Sequence, residues 1–435
     1  MGNEQIKAEV MGVAQAAKRA SGELGLKSRA ERDGALGAMA AALREHAGEI
    51  VAANARDMEA AREAGTKESL LDRLLLDAGR VEAMAAALED LVALPDPLGE
   101  VQEERTLYNG IGLRRVSVPL GVVAVVYEAR PNVTADAAGI CLKAGNACVL
   151  RGGSMAAASN AAISRVLHDA AVAAGMPQGC IGSVASTDRA ATDELMQLHG
   201  IVDVLIPRGG AGLINHCVEC SKVPVIETGT GNCHVYVHAT ADFGMARSIV
   251  ENAKCRRYGV CNAAETLLVD RAIAEDFLPD MLSLLASHGV ALHCDGASFA
   301  IAEKLASAGG KLAFDHADES DWETEYLAPE IAVKCVDGVG EAIDHVNRYG
   351  THHSEAIVAD PSDPAGADAI ERFLAQVDAA AVYANASTAF TDGGQFGMGA
   401  EIGISTQKLH ARGPFALRAL TSYKYVLRGD GQVRA

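Results

Sequence analysis

The sequence predicts an α/β protein with two parallel-sheet domains and a β-hairpin arm, and three observations support this fold class. From Gly121 onward, short β-branched runs alternate with helical segments at the spacing of a parallel sheet. This alternation occurs twice, before and after residues 227–231, which indicates two sheets. Earlier in the chain, Asn109-Gly110 lies between two extended runs, the strongest short signal of a hairpin.

A block of helices is predicted from Glu4 to Leu94. It is rich in Ala, Leu, Glu and Arg, and apolar residues recur at helical spacing between Val81 and Val92. Pro95 and Pro97 are expected to end this block, because proline cannot continue a helix.

The predicted hairpin has strands at Val101–Tyr108 and Leu113–Val118. It is mixed in charge and lies outside the alternation of strands and helices. We therefore expect it to contact a partner subunit rather than to enter a core.

The first α/β set predicts a sheet that binds an anionic ligand. Strands are predicted at Val122–Tyr127, Ala147–Arg151, Ile181–Val184 and Val202–Ile206, with helices at Thr134–Lys143, after Ser154 and from Asp188. Ser154 is predicted to cap its helix, and Gly175 and Pro177 to end it. Ligands of parallel sheets bind at the carboxyl ends of the strands.

Two of these strands end in residues suited to phosphate, namely Arg151-Gly152-Gly153-Ser154 and Pro207-Arg208-Gly209-Gly210. Glycines let backbone N–H groups approach an anion, a helix N-terminus favours it, and arginine adds a charge-assisted hydrogen bond. Neither segment is a Walker or Rossmann fingerprint, but the pair in one sheet favours a nucleotide over plain turns.

The second α/β set follows Glu227. Strands are predicted at Val235–His238, Glu265–Asp270, Ile331–Val336, Glu355–Ala359 and Ala380–Ala384, and helices at Phe243–Lys254, Ile273–His288, Val339–Tyr349 and Ala365–Val377. Glu227 closes the first domain, and Cys261 lies on a loop near the start of the second. A carboxylate and a thiol on facing domains, with a nucleotide site in one of them, are typical of an enzyme cleft.

Cys261 is the candidate nucleophile of this second set. Lys254, Arg256 and Arg257 lie close in sequence, and nearby cations stabilise the reactive thiolate. A lone cysteine beside a core strand more often serves only packing. These local residues leave both interpretations open.

Composition excludes several classes of protein. The net charge of −19 argues against nucleic-acid and anionic-membrane partners. No stretch approaches the roughly 18 consecutive apolar residues of a membrane span, and the first twenty or so residues lack a signal-peptide core. Ten cysteines without framework spacing predict free thiols in a reducing cytoplasm.

No metal site is predicted. Cys217-Val-Glu-Cys220 has no second paired motif and is expected to be helical. His352-His353 has no third ligand at metal spacing, so surface polarity is the expectation. The acidic run from Asp315 to Glu325 predicts a solvated loop.

Several longer motifs carry a resemblance to a known family. They are Tyr127-Glu-Ala-Arg-Pro-Asn-Val133, Val225-Ile-Glu-Thr-Gly229, Gly231-Asn-Cys-His234, Gly259-Val-Cys-Asn-Ala263, Thr324-Glu-Tyr-Leu-Ala-Pro329, Asn385-Ala-Ser-Thr388, Phe390-Thr-Asp-Gly-Gly394 and the segment 399–414. On these motifs the chain resembles the gamma-glutamyl phosphate reductase (glutamate-5-semialdehyde dehydrogenase) family of the aldehyde dehydrogenase superfamily. The resemblance extends nearly end to end, as far as Gly429.

The resemblance implies a domain plan and an assembly. The NADP-binding domain would comprise residues 1–100 and 119–230, the catalytic domain 231–395, and the oligomerisation arm 101–118 and 415–430. A homo-oligomer follows from this plan.

The resemblance also assigns roles to individual residues. Cys261 falls on the family's nucleophile, and Glu227 on the general base of hydrolytic aldehyde dehydrogenases. Asn132 and the Cys261 backbone N–H are the implied oxyanion donors. The implied cofactor-binding residues are Arg151, Gly152, Ser154, Arg208, Gly209, Gly210 and Glu325, with Glu325 at the nicotinamide ribose.

Three positions depart from the family pattern. Ala389 replaces the usual arginine after Asn-Ala-Ser-Thr, which removes a cation for an anionic substrate. Residues 155–158 replace a more polar segment, and Cys255 adds a thiol near Cys261. These departures bear on substrate affinity and cofactor choice rather than on the class of reaction.

The implied activity is NADPH-dependent reduction of L-glutamyl 5-phosphate to glutamate 5-semialdehyde and phosphate, through a Cys261 thioester, in proline biosynthesis. Such an acyl-phosphate reductase would have a functional link to glutamate 5-kinase. No water attacks in this cycle, so Glu227 either modulates the Cys261 proton or is an inherited structural residue. Two other functions stay open: a non-phosphorylating or CoA-acylating aldehyde dehydrogenase, and a non-catalytic nucleotide-binding relative.

Overall fold

The computed structural model describes residues 2–434 and confirms the predicted α/β fold class with parallel sheets. The chain divides into two compact units. Unit 1 comprises the chain up to Thr228 together with residues 397–403 and the segment from Phe415 onward. Unit 2 comprises Gly229–Phe396 and Ile404–Pro414. Within residues 2–434, no helix is both long and apolar enough to cross a membrane.

Unit 1 begins with the predicted helical block. Its helices are α1 (Asn3–Leu24), α2 (Arg29–Glu45), α3 (Ala47–Glu63), α4 (Glu68–Leu74) and α5 (Ala78–Ala93). Helix α2 starts where the sequence supplies a capping box, because Ser28 and Glu31 satisfy each other's backbone N–H groups.

The predicted hairpin is present as β1 (Val101–Thr106) and β2 (Gly112–Pro119), which pair antiparallel. A third strand, β16 (Thr421–Arg428), pairs antiparallel with β2 and gives the order β1-β2-β16. Tyr423 and Tyr425 are about half exposed on β16. The role of this three-stranded sheet in assembly stays a prediction.

The parallel sheet of unit 1 has the order β5-β4-β3-β6. Its strands are β3 (Val122–Tyr127), β4 (Ala147–Gly152), β5 (Ile181–Ser183) and β6 (Val204–Arg208), and its helices are α6 (Asn132–Lys143), α7 (Ala157–Ala173), α8 (Arg189–Met196) and α9 (Ala211–Cys220). Every residue of β3 is buried, as its β-branched run predicts. Tyr127 is in register with Gly152 on one side and Arg208 on the other, so the two predicted anion-binding segments leave the sheet at the same level on either side of β3.

Ser154 does not cap the helix after β4, contrary to the prediction. It begins a single 3₁₀ turn, and its side chain makes no capping hydrogen bond. The start of α7 is instead held by Asp57 of α3, whose carboxylate accepts from the backbone N–H groups of Ala158 (3.1 Å) and Ser159 (2.7 Å). A carboxylate far away in sequence thus takes the position predicted for the local hydroxyl, because it brings a full negative charge to the helix N-terminus.

The sheet of unit 2 is parallel, with the order β10-β9-β11-β8-β7-β12-β13. Its strands are β7 (Cys233–Val237), β8 (Ala264–Asp270), β9 (Ala291–Cys294), β10 (Phe314–His316), β11 (Glu330–Val336), β12 (Ser354–Val358) and β13 (Ala381–Ala384). Its helices are α10 (Phe243–Cys255), α11 (Ala274–Ser287), α12 (Gly296–Ser307), α13 (Val339–Tyr349) and α14 (Pro364–Gln376). Two further short strands, β14 (Gly403–Ser405) and β15 (Gly413–Phe415), complete the list.

Three elements of unit 2 escaped prediction, namely β9, α12 and β10. Strand β10 places Asp315 at the sheet edge, where a solvated loop was predicted, and Trp322 within the same acidic run is buried. A three-residue edge strand with two polar residues has too little pattern to be recognised locally.

Candidate active site

The amino-terminal edge of the unit 2 sheet carries the candidate nucleophile. Strands β7 and β8 start together, with Cys233 in register with Ala264. The segments that lead into them therefore run side by side, and they contain Gly231 and Cys261. Cys261 is partly exposed, whereas Cys233 is fully buried.

Cys261 lies in a tight turn that other segments hold. The backbone N–H of Ala263 donates to the carbonyl of Val260 at 3.1 Å, which makes Cys261 and Asn262 the central residues. The Asn262 amide donates to the Thr391 carbonyl at 3.0 Å, and the Thr388 hydroxyl donates to the Asn262 carbonyl at 2.8 Å. These bonds fix the turn at its second central residue.

Two neighbours fix the other half of the turn. A Cβ atom added to Gly231 would lie 1.5 Å from the Cys261 carbonyl oxygen, so only glycine fits there. The Cys233 thiol donates to the same oxygen at 3.2 Å. Burial raises the pKa of the Cys233 thiol well above its usual range, which keeps it protonated as a donor.

Glu325 lies against the same glycine. Its Oε1 accepts a hydrogen bond of 2.6 Å from the Gly231 backbone N–H, and burial raises the pKa of its carboxyl group. The structure thus brings Cys261 and Glu325, two of the predicted site residues, to a shared neighbour in Gly231.

Lys254, predicted to be near the nucleophile, is a buried ion-pair partner of Glu265. Both side chains are fully buried and form a short hydrogen bond. Burial lowers the pKa of Lys254 and raises the pKa of Glu265 to about 7. Lys254 therefore neutralises Glu265, while Arg256 and Arg257 are exposed.

The prediction of surface polarity for His352-His353 was wrong at the second position. His353 is fully buried. Its Nδ1 atom lies 2.7 Å from the Ser354 hydroxyl oxygen and 3.7 Å from the Cys233 sulfur. Burial lowers its pKa to about 4, so the ring is neutral. In residues 2–434, no group of three or more His, Cys, Asp or Glu side chains has the arrangement of a metal site.

In unit 1, the sequence reasoning missed Glu128. Its carboxylate accepts a hydrogen bond of 2.9 Å from the Gly210 backbone N–H, where α9 begins. A Cβ atom on Gly209 would lie 2.6 Å from the same carboxylate, so this glycine makes room for it. The signal available in the sequence was the position of Glu128 directly after β3, at the carboxyl end of the sheet.

Arg151 is buried and holds the loop after β5. Its guanidinium donates to the carbonyls of Thr187 (2.7 Å) and Asp188 (2.9 Å), and burial lowers its pKa. Its buried Nε has no hydrogen-bond partner among the described residues.

A cavity of about 390 Å³ opens at the carboxyl ends of β4 and β5. Its lining includes Gly152, Asn160, Arg165, His168 and Thr187. Glycine and hydrogen-bonding groups at the carboxyl ends of parallel strands suit a nucleotide. The residues present therefore fit a dinucleotide cofactor.

Asn132 and Glu227 are the remaining predicted catalytic residues of unit 1. Asn132 is the first residue of α6, and its amide donates to Asp136 at 3.0 Å. Glu227 is partly buried, which raises the pKa of its carboxyl group. Its neighbour Thr228, the last residue before unit 2, donates to the Pro207 carbonyl at 2.8 Å.

Comparisons with known proteins agree with the motif resemblance. The model of the aldehyde dehydrogenase family matches residues 3–297. The gamma-glutamyl phosphate reductase of Moorella thermoacetica is 52% identical over 429 residues, covering 99% of each chain, and that of Thermoanaerobacter pseudethanolicus is 50% identical over 426 residues, covering 98% of this chain and 100% of the relative.

Solved structures give the same result. The crystal structure of gamma-glutamyl phosphate reductase from Thermotoga maritima has a TM-score of 0.92 at 43% identity, covering 98% of this chain and 100% of that one. An acetylating aldehyde dehydrogenase from Geobacillus thermoglucosidasius has a TM-score of 0.69 at 22% identity, covering 100% and 99%, and shares the fold. The resemblance predicted from the sequence motifs is confirmed.

Proposed function

The chain belongs to the aldehyde dehydrogenase family, and from this premise we propose that it reduces L-glutamyl 5-phosphate to glutamate 5-semialdehyde and phosphate with NADPH, in proline biosynthesis. The observation that carries the proposal is the match, at about half identity over nearly the whole length, to enzymes named for this reaction. The held turn at Cys261 supports it, because nucleophilic catalysis needs a fixed nucleophile.

In the proposed cycle the Cys261 thiolate attacks the acyl carbonyl of the substrate. The new C–S bond converts the carbonyl into a tetrahedral oxyanion. As this oxyanion collapses, the C–O bond to phosphate breaks, and phosphate leaves without acid assistance because it is a good leaving group. The resulting thioester on Cys261 would be reduced by hydride, the chemistry that NADPH would supply when bound. The thiohemiacetal then collapses, releasing the semialdehyde and restoring the Cys261 thiolate.

Charge develops on the carbonyl oxygen in both halves of this cycle. The family resemblance assigns its stabilisation to the Asn132 amide and the Cys261 backbone N–H. Such donors are each worth about 3 kcal/mol in related acyl transfers. The hydrogen bond from the Asn132 side-chain amide to Asp136 supports the assignment, because it fixes the positions of the amide nitrogen and oxygen atoms.

The proposed cofactor site uses the residues at the carboxyl end of the unit 1 sheet. Arg151, Gly152 and Ser154 would contact the ribose and phosphate next to the adenine. Arg208 and Gly209 would contact the pyrophosphate, while the Gly210 N–H at the start of α9 already donates to Glu128. Asp57 already holds the first N–H groups of α7, so the exposed Ser154 hydroxyl, rather than that helix end, is offered to the cofactor. Glu325 would hold the nicotinamide ribose through its Oε2.

Glu227 is proposed to have no hydrolytic role. The thioester must survive until the hydride arrives, so a competent base for water would waste substrate. Glu227→Gln should then cost the reductive rate less than about tenfold, or 1.4 kcal/mol. A hundredfold loss with unchanged NADPH affinity would show instead that Glu227 prepares the Cys261 thiolate.

The proposed function is tested in the oxidative direction, with glutamate semialdehyde and NADP⁺. We expect turnover that requires inorganic phosphate. Turnover with coenzyme A in its place, or with neither, would indicate an acylating or hydrolytic aldehyde dehydrogenase. Binding of NADPH without turnover under any condition would indicate a non-catalytic relative.

The nucleophile is tested by Cys261→Ser. A hydroxyl of ordinary pKa is a far weaker nucleophile than a thiolate, so NADPH binding should persist while turnover is lost. Cys255→Ser is the matched control, because Cys255 is a neighbouring, partly exposed thiol whose pKa burial raises. More than a tenth of wild-type rate in Cys261→Ser would refute the assignment.

A further inference from the structure

A second cysteine of unit 2, Cys233, makes polar contacts on two sides of its thiol. Its Sγ donates to the Cys261 carbonyl at 3.2 Å, and the Nδ1 atom of His353 lies 3.7 Å from the same Sγ. Both Cys233 and His353 are fully buried. Buried polar groups are found where hydrogen bonds satisfy them, so both side chains depend on these contacts beside the nucleophile.

The position of the proton on His353 follows from its neighbours. Burial lowers the pKa of His353 to about 4, so the neutral ring carries one N–H group. The single hydrogen of the Ser354 hydroxyl is donated to Thr391 Oγ1 at 2.6 Å. The 2.7 Å contact between His353 Nδ1 and Ser354 Oγ therefore requires the N–H group to be on Nδ1. Nε2 then carries no hydrogen, and among residues 2–434 this buried atom has no hydrogen-bond partner.

This tautomer decides what the Cys233 thiol can do. A ring nitrogen that carries hydrogen accepts no hydrogen bond, so Cys233 cannot donate to His353. Its S–H group is left for the Cys261 carbonyl. Burial raises the pKa of the Cys233 thiol well above its usual range, so the hydrogen stays on the sulfur. His353 therefore orients the Cys233 thiol toward the backbone of the nucleophile.

The contacts close into a ring at Thr391. Its hydroxyl accepts from Ser354, and its backbone carbonyl accepts from the Asn262 amide at 3.0 Å. Asn262 and Cys261 are the two central residues of the turn described above. The contacts that leave this turn at the Cys261 carbonyl thus return to it through Asn262. This hydrogen-bond ring consists of Cys261, Cys233, His353, Ser354, Thr391 and Asn262.

The hydrogen-bond ring lies entirely within unit 2 and joins segments that are far apart in sequence. Cys233 begins β7 and Ser354 begins β12, which are neighbouring parallel strands, while Thr391 follows β13. Apart from Cys261, every member of the ring is buried. Water is therefore kept from these hydrogen bonds, and the low dielectric of the interior strengthens them.

We propose that Cys233 and His353 are positioning residues of the active site: His353 orients the Cys233 thiol, and the thiol holds the peptide group that follows Cys261. This peptide group sets the backbone angle at Cys261 and so the direction in which its sulfur meets a substrate carbonyl. The proposal rests on the proposed function in taking Cys261 as the nucleophile. It gives Cys233 a role in which the thiol acts as a neutral donor and never as a thiolate.

The first test compares Cys233→Ala with Cys233→Ser in the oxidation of glutamate semialdehyde with NADP⁺ and phosphate. Cys233→Ala removes the donor, and we expect kcat to fall about 10- to 100-fold while KM changes less than about threefold. Cys233→Ser keeps a donor and should recover most of the loss. Cys335→Ala is the control, because this buried thiol lies at the opposite edge of the same sheet, in register with Val269. Equal rates in the alanine and serine variants of Cys233 would overturn the proposal.

The second test separates the Nδ1–H donor of His353 from the space that its ring fills. His353→Asn places an amide N–H group near the position of Nδ1, whereas His353→Leu fills more of the volume without a donor. We expect kcat of the asparagine variant to exceed that of the leucine variant at least about tenfold, although the leucine variant packs better. The opposite ranking would show that His353 only fills space.

A third test asks whether the contacts act as one ring. Thr391→Val removes the hydroxyl that Ser354 contacts but keeps the carbonyl that Asn262 contacts. In the double variant with Cys233→Ala, the loss of kcat should be close to that of the more damaging single variant, because both changes open the same ring. A loss equal to the product of the two single losses would show separate contacts and refute the ring.

Hydrogen exchange distinguishes the ring from the proposed function, since it needs no turnover. The Ala263 N–H group closes the turn at Cys261, so its exchange rate reports how firmly the turn is held. We expect it to exchange at least about tenfold faster in Cys233→Ala and His353→Leu than in wild type, with protection kept in Cys233→Ser. If that pattern appears without phosphate-dependent turnover, the proposed reaction fails and the ring stands. If turnover is present but exchange is the same in all variants, the ring fails and the reaction stands.

Discussion

Replacing Gly231 by alanine tests whether the backbone around Cys261 controls the chemistry. The added Cβ atom would lie 1.5 Å from the Cys261 carbonyl oxygen, 2.3 Å from its carbonyl carbon and 2.6 Å from its Cα. Contacts of this kind settle near 3 Å or more, so one of the two segments must move by roughly 1.5 Å. Asn262 is anchored to Thr388 and Thr391, which limits how the turn can yield.

The expected magnitude follows from this displacement. A misplacement of about 1 Å in a reacting group costs about a hundredfold in rate. Gly231→Ala should therefore lower kcat by at least about a hundredfold, while overpacking costs about 1–3 kcal/mol of the free energy of unfolding. NADPH affinity should fall as well, because the Gly231 N–H holds Glu325, the residue proposed to bind the nicotinamide ribose.

The assay measures kcat with glutamate semialdehyde, NADP⁺ and phosphate, together with the rate at which iodoacetamide alkylates Cys261. Gly296→Ala is the matched control, because this glycine at the start of α12 has no atom within 4 Å of an added Cβ. That variant should keep full activity and gain up to about 1 kcal/mol of stability. Activity of Gly231→Ala within threefold of wild type would refute the reasoning.

Three further predictions concern stability and assembly. Lys254→Met leaves the buried Glu265 without its cation and should lower the free energy of unfolding in urea by about 3–5 kcal/mol. Most of this loss should be recovered when Glu265→Leu is added. An unchanged unfolding midpoint in the single variant would contradict the prediction. Lys408 and Arg412 lower the pKa of Asp378 to about 2. The ionised Asp378 carboxylate therefore stabilises the folded state above the usual aspartate pKa of about 4, and this contribution should be lost as the pH drops from about 4 toward 2. Asp378→Asn should flatten that fall, and an identical pH profile would refute it. Deleting residues 101–118 should give monomers in size-exclusion chromatography, whereas an unchanged elution volume of a folded protein would exclude the assembly role.

The fold was largely predictable because its strongest elements are locally patterned. The β-branched run Val122–Tyr127 is β3 to the residue, and the apolar spacing in Val339–Tyr349 is α13 to the residue. The Asn109-Gly110 turn placed the hairpin. Short strands with mixed burial, such as β9, were not predictable, because four residues carry too little periodicity.

The candidate site was predictable only in part, for a related reason. Motifs located Cys261 and Glu325, but nothing local showed that both contact Gly231. Charge near Cys261 in the sequence suggested a free cation at Lys254, whereas the fold buries that side chain against Glu265. Burial likewise turned His353 from an expected surface residue into a neutral core residue.

The sequence by itself determined where most strands and helices form, which residues are candidates for the chemistry and which family the chain belongs to. These properties depend on side-chain type and on spacing of a few residues, which a linear chain displays directly. Only the tertiary structure decided the partners: Asp57 for the start of α7, Cys233 for the Cys261 carbonyl, and Asp136 for Asn132. The physical reason is that hydrogen bonds and ion pairs are selected by proximity and burial, and both arise when elements distant in sequence pack together.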